Sequence, residues 1–396
     1  MACGFHFDFT ANQWMPASPR ADSGGTTSDA SGSAVQTLRV ATLNVLADCF
    51  PWAVELMICS EDRRRALVTW QSDQTARRRT SSPPSLKVVE MAELDATVLG
   101  LNEVTPGLLA ALLAEPFVRQ SYWVSQLTMD QTHGCVLFSK IPFVVVLQKQ
   151  VTETRPKKQR KVVIGVFEDK DAAPFAVVSQ HTQAHQSEEN LQLRKLQIRN
   201  ACAAAVEALG TDADHAAFVL MGDLNFHYLC EDSTILENHL LDLWAESHFD
   251  EGSGTIDEGY TYDSQTNLMV PRYVVGENRR MRLDRILCSR AFFERFQVAN
   301  KCRLWAQQPI NERETLWISD HYGLVVDLQR RRGAPGAPPH KPPSPDVLAV
   351  LRARGATPRE GSSYTAWSFV GRAPRHLAHM AVHAVTGAGA LKGKYR

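Results

Sequence analysis

Residues 218–225, Phe218-Val219-Leu220-Met221-Gly222-Asp223-Leu224-Asn225, contain the clearest strand signal in the chain. Four successive apolar residues lead into a Gly-Asp-x-Asn cluster. A short apolar run bounded by a turn-forming glycine indicates a buried strand. The end of such a strand is where a sheet presents polar side chains to a ligand, so Asp223 and Asn225 are predicted to face a pocket.

A second polar cluster, Ser319-Asp320-His321, directly precedes another apolar run, Gly323-Leu324-Val325-Val326. About a hundred residues separate the two clusters along the chain. If both strand ends open on one pocket, Asp, Asn, Asp and His side chains come within reach of one another. That set of side chains is typical of a metal-assisted hydrolase.

Composition is that of an ordinary globular protein, with 396 residues, 44% hydrophobic and 22% charged. Lys plus Arg equals Asp plus Glu at 43 each, so any contact with nucleic acid or membrane must be local. The eight cysteines show no C-x-x-C pair, which argues against a zinc site and a disulfide framework. With no secretory signal and no apolar stretch of about 20 residues, we expect a cytoplasmic or nuclear monomer without a transmembrane segment.

Changes in composition divide the chain into three parts. Residues 1–36, rich in Ser, Gly, Ala and Thr towards their end, are predicted to be a disordered leader. Residues 37–330 are predicted to form the catalytic domain. Residues 331–396 begin with Arg, Pro and Gly and are predicted to be a linker and a basic tail without a catalytic role, with a weak helical pattern near Val347 to Ala353.

The predicted domain alternates strands with helices. The longest helix is expected from Glu188 to Leu209, with Ser187 as its N-cap. A shorter helix is expected from Leu86 to Leu94, after an exposed loop from Gln71 to Ser85. The other predicted strands are Leu38 to Val45, Ala96 to Leu101, Gly134 to Phe138, Val162 to Phe167, Ala176 to Ser179, Leu283 to Cys288 and Gly323 to Leu328.

Six short segments occur in an order and spacing that resemble the endonuclease/exonuclease/phosphatase superfamily, the deoxyribonuclease I-like fold. They are Thr42-Leu43-Asn44, Leu101-Asn102-Glu103-Val104, Gln180-His181-Thr182, Gly222-Asp223-Leu224-Asn225, Arg282-Leu283-Asp284-Arg285 and Ser319-Asp320-His321-Tyr322-Gly323-Leu324. The resemblance covers about residues 38 to 330. It implies a four-layered α/β sandwich, in which two mixed β-sheets pack face to face with helices outside.

The resemblance also implies a divalent metal, because a phosphodiester is anionic and resists attack by water unless its charge is neutralised. Glu103 is the expected main ligand for Mg²⁺, since hard cations prefer carboxylate oxygen; Mn²⁺ is the alternative ion. Asn44 is expected to support the metal or a phosphate oxygen. Asp320 is the further metal ligand.

The remaining residues of the six segments are expected to handle protons and phosphate oxygens. Asp223 would take the proton from the attacking water, and Asn225 would orient that water. His321 would donate to the phosphoryl oxygen, with Asp284 holding its imidazole charged and aligned. His181 is expected to be a second donor on the phosphate side.

The C-terminal half resembles the 5′-tyrosyl-DNA phosphodiesterase branch of this superfamily. The matching segments are Leu243-Trp244, Tyr260 to Asn267 and Met281 to Leu287. This branch implies a nucleic acid end as the substrate. Tyr262, as an aromatic that stacks on a base, and Arg285 are the expected substrate contacts.

Other features leave the substrate open. Leu46 stands at a position where the DNA-repair members usually carry Asp. Leu at this position resembles the poly(A) deadenylase and sphingomyelinase branches, and His181-Thr182-Gln183-Ala184 is similar to the corresponding segment of the sphingomyelinases. The alternatives are therefore a sphingomyelinase-like phospholipid phosphodiesterase, a deadenylase-like exonuclease, and an inactive scaffold of the same fold. The basic run from Arg155 to Lys161 is interpreted as a solvated hairpin tip, with a phosphate contact or nuclear address as the other interpretation.

Overall fold

The structure, a computed structural model, covers most of the predicted domain. It describes residues 4–16, 35–47, 62–64, 67, 91–152, 160–270, 277–311, 313–331 and 344–356. The predicted loop from Gln71 to Ser85 lies outside the described residues, as does most of the predicted basic tail.

The larger sheet has nine strands in the order β17-β19-β3-β4-β6-β5-β1-β2, with β18 also paired to β19. Strands β3 and β4 run parallel, and β19 runs antiparallel to β3. The sheet is therefore mixed. Its strands are β1 Phe5–Asp8, β2 Gln13–Pro16, β3 Thr37–Asn44, β4 Val98–Val104, β5 Trp123–Val124, β6 Gly134–Ser139, β17 Phe296–Val298, β18 Arg303–Trp305 and β19 Gly323–Arg330.

The smaller sheet has six strands in the order β11-β16-β10-β9-β8-β7. Strands β9 and β10 are parallel, whereas β10 and β16 are antiparallel, so this sheet is mixed as well. Its strands are β7 Val145–Gln150, β8 Lys161–Phe167, β9 Phe175–Ser179, β10 Phe218–Asp223, β11 Leu240–Asp242 and β16 Asp284–Ser289. Two short hairpins complete the strands: β12 Phe249–Asp250 with β13 Thr255–Ile256, and β14 Tyr262–Asp263 with β15 Arg280–Met281.

The two sheets pack face to face around an inner apolar core. Val40 and Val98 of the larger sheet lie in one cluster with Val219 and Met221 of the smaller sheet. The alternate residues of β10, Phe218 and Leu220, face the opposite side and pack in a separate cluster. Both faces of β10 are thus buried, which is why its sequence is a continuous apolar run.

Helices cover the outer faces of both sheets. On the smaller sheet, the 22-residue helix Glu188–Leu209 packs Ile198 and Ala201 onto strand residues. The side chain of its N-cap, Ser187, accepts a hydrogen bond from the Asn190 N–H, as predicted. The remaining described helices are Met91–Leu94, Pro106–Ala114, Pro116–Ser121, Ser233–Glu237, Leu243–His248, Arg290–Arg295, Pro345–Gly355 and a 3-10 turn at Leu229–Asp232. The predicted four-layered sandwich is confirmed.

The two ends of the predicted domain differ from expectation. Within the predicted leader, strands β1 and β2 form a hairpin that pairs with β5 at the sheet edge. The helix Pro345–Gly355 covers the weak helical pattern that was predicted near Val347 to Ala353, but its burial of Val347 and Leu351 in the inner core was not predicted. Each segment carries enough apolar surface to join the fold. No helix among the described residues combines the length and apolar character needed to cross a membrane.

Candidate active site

Strand ends from both sheets meet at one edge of the sandwich. Asn44, the last residue of β3, lies beside Asn102 of the parallel strand β4. Asp223, the last residue of β10, lies opposite Asp284, the first residue of the antiparallel strand β16. Because β19 runs antiparallel to β3, His321 just before β19 reaches the same edge. The topology therefore brings together residues that are far apart in sequence.

Glu103 lies on an irregular part of β4. Its φ is +61°, and the pairing register of β4 with β6 shifts between Leu101 and Val104. A left-handed conformation is costly for a residue with a side chain, and such strain concentrates at functional sites. The Glu103 carboxylate accepts hydrogen bonds from Asn44 Nδ2 (3.2 Å) and the Ala47 N–H (2.8 Å). Part of it remains exposed, as a ligand site requires.

Asp223 is buried at the end of β10. The preceding Gly222 has a φ of +135°, and a Cβ there would lie 2.0 Å from the Gln180 main-chain oxygen. Only glycine fits this close approach. The Asp223 side chain accepts bonds from Asn44 Nδ2 (3.0 Å) and the Asn225 N–H (2.9 Å), and its own N–H donates to Asn102 Oδ1 (2.9 Å). These bonds fix the carboxylate beside Asn44 and Glu103.

Burial has a clear electrostatic consequence for Asp223. Desolvation raises the pKa of this carboxyl to about 7; Asp284 adds to the rise, whereas His321 and the Asn44 bond act against it. A carboxylate with a raised pKa is a stronger proton acceptor than an exposed one. A pKa close to neutrality is the value that suits a general base.

Asn225 lies on the turn that follows β10, with a φ of +50°. Asparagine tolerates the left-handed region better than most residues. Its Nδ2 donates to the Thr182 main-chain oxygen at 3.3 Å, and the Thr182 N–H in turn donates to the Asp223 main-chain oxygen at 3.0 Å. The segment that carries His181 is thereby joined to the end of β10.

His321 and Asp284 form a buried pair. The distance from His321 Nδ1 to Asp284 Oδ2 is 2.7 Å, the length of a charge-assisted hydrogen bond. Burial acts to lower the pKa of His321, but Asp284 and Asp320 outweigh it and hold that pKa well above 6.5. The imidazole is therefore a cationic donor at neutral pH.

His181 lies on the opposite side of Asp223. Its Nε2 is 3.5 Å from Asp223 Oδ2 and 3.8 Å from Glu103 Oε1, and its Nδ1 is 3.4 Å from Arg160 Nη1. A small crevice of about 30 Å³ opens beside it and is lined in part by His133, Arg160 and Lys161. Arg160 thus reaches the site, so the hairpin-tip interpretation is wrong for this residue, whereas Lys161 pairs with Asp130 at the surface.

Asp320 and Tyr262 approach the site through His321. Asp320 Oδ1 accepts a hydrogen bond from Ser319 Oγ at 3.2 Å, and Ser319 Oγ also bonds the Asn44 main-chain oxygen at 2.6 Å. The Tyr262 ring meets the His321 ring edge to face, with centroids 5.5 Å apart. Both residues therefore lie next to the predicted phosphate donor.

The prediction that Arg285 contacts the substrate is wrong, because its side chain does not reach the surface of the site. Its guanidinium is buried and bonds Asp242 Oδ2 (2.8 Å), Asp232 Oδ1 (3.1 Å) and the Arg282 main-chain oxygen (3.1 Å). Asp242 also pairs with Arg282 at 2.7 Å. Side chains alternate between the faces of a strand, so the neighbour of Asp284 points away from the pocket. These bonds leave Arg285 a packing role behind the site.

The carboxylate oxygens of the site suit a divalent cation. One atom from each of Asp223, Asp284 and His321 lies within 4.8 Å of the others, but the charged imidazole of His321 has no lone pair for a metal, which leaves the carboxylates as donors. Asp284 Oδ1 is buried and has no hydrogen-bond partner among the described residues, which favours a further ligand at that oxygen. The carboxylate of Glu103 adds hard oxygen donors on the other side of Asn44.

Two residues to which the sequence assigned no role also build the site. Asn102 is buried, and its amide accepts from the Asp223 N–H and donates to Ser179 Oγ (3.2 Å), which fastens the two sheets together. Arg63 is buried and donates to the main-chain oxygens of Val45 and Ile318, at 3.0 and 2.9 Å. The position of Asn102 next to Glu103 could have indicated a role in the site. Nothing in the sequence distinguishes Arg63 from its neighbouring arginines.

Comparison with known proteins agrees with this geometry. A family model described as "Endonuclease/Exonuclease/phosphatase family" matches residues 42–321, which is most of the chain. That range contains every side chain of the cluster described above. No curated protein sequence matches the chain.

Solved structures show the same fold at low sequence identity. D. rerio TDP2 complexed with single strand DNA product is 16% identical, with a TM-score of 0.51, and covers 74% of this chain and 99% of its own. D. rerio TDP2 humanized by 14 mutations is 15% identical, with a TM-score of 0.50 and coverage of 74% and 99%. At this identity the likeness concerns the fold alone.

Proposed function

Because the chain belongs to the endonuclease/exonuclease/phosphatase family, we propose that it is a divalent-metal-dependent phosphodiesterase that acts on nucleic acid ends. A 5′-tyrosyl DNA end is the first substrate to consider. The observation that carries the proposal is the convergence of Asn44, Glu103, Asp223 and the His321–Asp284 pair at one edge of the sandwich.

The metal would be held by carboxylate oxygen. Glu103 is the main ligand in this proposal, Asn44 and Asp320 are the further ligands, and Mg²⁺ or Mn²⁺ is the ion. When bound, the cation neutralises charge on the phosphoryl oxygen. Asn44 donates to both Glu103 and Asp223, so it keeps the ligand and the base at a fixed separation.

Asp223 accepts the proton of the attacking water. Its carboxylate is buried and has the raised pKa that a general base needs. Asn225 fixes that carboxylate through its N–H and orients the water. His321, charged through Asp284, donates to the phosphoryl oxygen on which negative charge builds, and His181 donates from the other side.

Local charge supports a nucleic acid substrate. Arg160 contacts His181, and Lys161 lines the same crevice, where phosphates next to the scissile one would pass. Tyr262 packs on His321 but is buried in a cluster with Val270, Met281 and Leu283, so it supports the histidine, and its predicted stacking on a base is wrong. The similar D. rerio TDP2 structure contains a single-strand DNA product, which agrees with this choice.

Paired substrates test the proposal. Hydrolysis of a 5′-tyrosyl oligonucleotide, sphingomyelin vesicles and a poly(A) oligonucleotide is measured with Mg²⁺ and with EDTA. We expect turnover of the tyrosyl oligonucleotide alone, and its loss in EDTA. Turnover of the lipid alone would favour the sphingomyelinase-like alternative, which Leu46 and the segment after His181 suggest. No turnover of any phosphodiester would favour an inactive scaffold.

A further inference from the structure

Arg160 is linked to the carboxylates of Asp223 and Glu103 through the side chain of His181. We propose that Arg160 is a positioning residue, which holds His181 as the neutral tautomer with its proton on Nε2 and directs that N–H towards the phosphoryl oxygen. The tautomer follows from the structure alone, and only the kinetic consequence rests on the proposed phosphodiesterase function.

The tautomer follows from the chemistry of the contact. A guanidinium has five N–H donors and no acceptor. With Arg160 Nη1 at 3.4 Å from His181 Nδ1, that ring nitrogen must act as the acceptor. A neutral imidazole carries its proton on the other nitrogen when one nitrogen accepts. The proton therefore lies on Nε2.

The N–H that results points to the place where substrate binds. Nε2 is 3.5 Å from Asp223 Oδ2 and 3.8 Å from Glu103 Oε1. Neither of these contacts is a hydrogen bond, whereas the contact of Arg160 with Nδ1 is one, so neither carboxylate engages this N–H. The donor stays available for an oxygen placed between the base and the proposed metal ligand.

The two histidines of the site thus have opposite partners. His321 Nδ1 faces the Asp284 carboxylate, which favours a charged imidazole, whereas His181 Nδ1 faces a guanidinium, which favours a neutral one. One histidine can then donate a proton, while the other only donates a hydrogen bond.

Among the described residues, no carboxylate forms an ion pair with Arg160. Its main-chain N–H donates to Thr152 Oγ1 at 3.3 Å, and its main-chain oxygen accepts from the Val151 N–H at 2.9 Å. These bonds fix the start of the strand, so the guanidinium is aimed from a defined position. An acidic partner would have drawn it away from His181.

Three substitutions separate the roles of charge and hydrogen bond. Arg160→Gln keeps an N–H donor without charge, and Arg160→Met removes both. Lys149→Met removes a surface charge of the adjacent strand β7, where Lys149 is paired with Glu207 of the helix Glu188–Leu209. We expect Arg160→Met to lower kcat about 10- to 100-fold, Arg160→Gln to stay within about threefold, and Lys149→Met to match wild type. Thermal melts confirm that each variant folds.

A double-mutant cycle with His181→Ala shows whether Arg160 acts through the imidazole. We expect Arg160→Met to cause no further loss of kcat once His181 has been replaced, because coupled residues are not additive. Losses that multiply would show an independent role and overturn the proposal.

Tautomer assignment by ¹⁵N NMR of histidine-labelled protein needs no substrate, so it tests the proposal even if phosphodiesterase activity is absent. We expect the Nε2–H tautomer for His181 in wild type and Arg160→Gln, and a mixture in Arg160→Met. An Nδ1–H or doubly protonated ring in wild type would refute the positioning role.

Discussion

Replacing Asp284 by Asn removes the charge that supports His321 and leaves the shape of the site nearly unchanged. In wild type, the two side chains are buried and joined by a 2.7 Å hydrogen bond. Two unit charges about 4 Å apart interact by about 4 kcal/mol at an effective dielectric constant of about 20. Since about 1.4 kcal/mol is a factor of ten in an equilibrium, the charged imidazole becomes about a thousandfold less favoured in Asp284→Asn.

The sign of the pH effect follows from this loss. In wild type, Asp284 and Asp320 overcome burial and hold the pKa of His321 well above 6.5, so the cationic donor persists through neutral pH. In the variant, burial lowers that pKa with less opposition, and the donor is lost as pH rises. We expect kcat to fall about 10²- to 10³-fold at pH 8 and less at pH 6.

The assay is the pH profile of kcat for the substrate that is turned over, recorded with wild type and Asp284→Asn. Asp212→Asn is the matched control, because Asp212 forms a histidine pair of the same 2.7 Å length with His215 on the exposed surface. Its profile should equal that of wild type. A wild-type profile for Asp284→Asn would refute the assignment of Asp284 to His321.

Three more predictions concern stability and the metal. Deleting residues 336–396 removes the buried Val347 and Leu351, and burial of each side chain stabilises the fold by about 1.5–3 kcal/mol. Denaturant titration should therefore show an unfolding free energy that is lower by about 3–6 kcal/mol. Unchanged stability would contradict the packing of the helix Pro345–Gly355. Leu220→Ala, in a strand buried on both faces, should cost about 2–5 kcal/mol in the same assay, and a cost below about 0.5 kcal/mol would contradict that burial. Burial raises the pKa of Asp223 to about 7, and a protonated base is inactive. A nearby cation favours the ionised form of Asp223, so the acidic limb of the pH profile of kcat/KM should move to lower pH as the Mg²⁺ concentration is raised. A limb that stays at the same pH would show that the metal does not bind close to this base.

The strand ends could be predicted because a strand that is buried on both faces requires apolar residues at every position. Phe218 to Met221 has to be apolar at every position when sheets or helices cover both faces of its strand. The polar cluster that follows then has to lie at a sheet edge. Both the sandwich and the strand-end position of Asp223 were therefore accessible from pattern and resemblance.

Features that depend on tertiary packing were not accessible in the same way. Arg160 belongs to a run of basic residues that is typical of a solvated tip, and only the packing of its strand beside His181 gives it a partner in the site. Arg285 directly follows Asp284 in a motif, yet the alternation of side chains along the strand directs it to the other face, where it forms buried ion pairs with Asp232 and Asp242. The helix Pro345–Gly355 follows a Pro-rich linker, and its burial depends on a groove that other elements form.

Turnover by Asp223→Asn at saturating Mg²⁺ shows whether this buried carboxylate is the base. The substitution keeps the volume of the side chain and one of the two hydrogen bonds that it accepts, so the thermal melt shows whether the fold survives. We expect a folded protein whose kcat on the substrate that wild type hydrolyses is lower by about 10²-fold or more. A folded variant with wild-type kcat would contradict the assignment of this buried carboxylate as the base of a hydrolytic site.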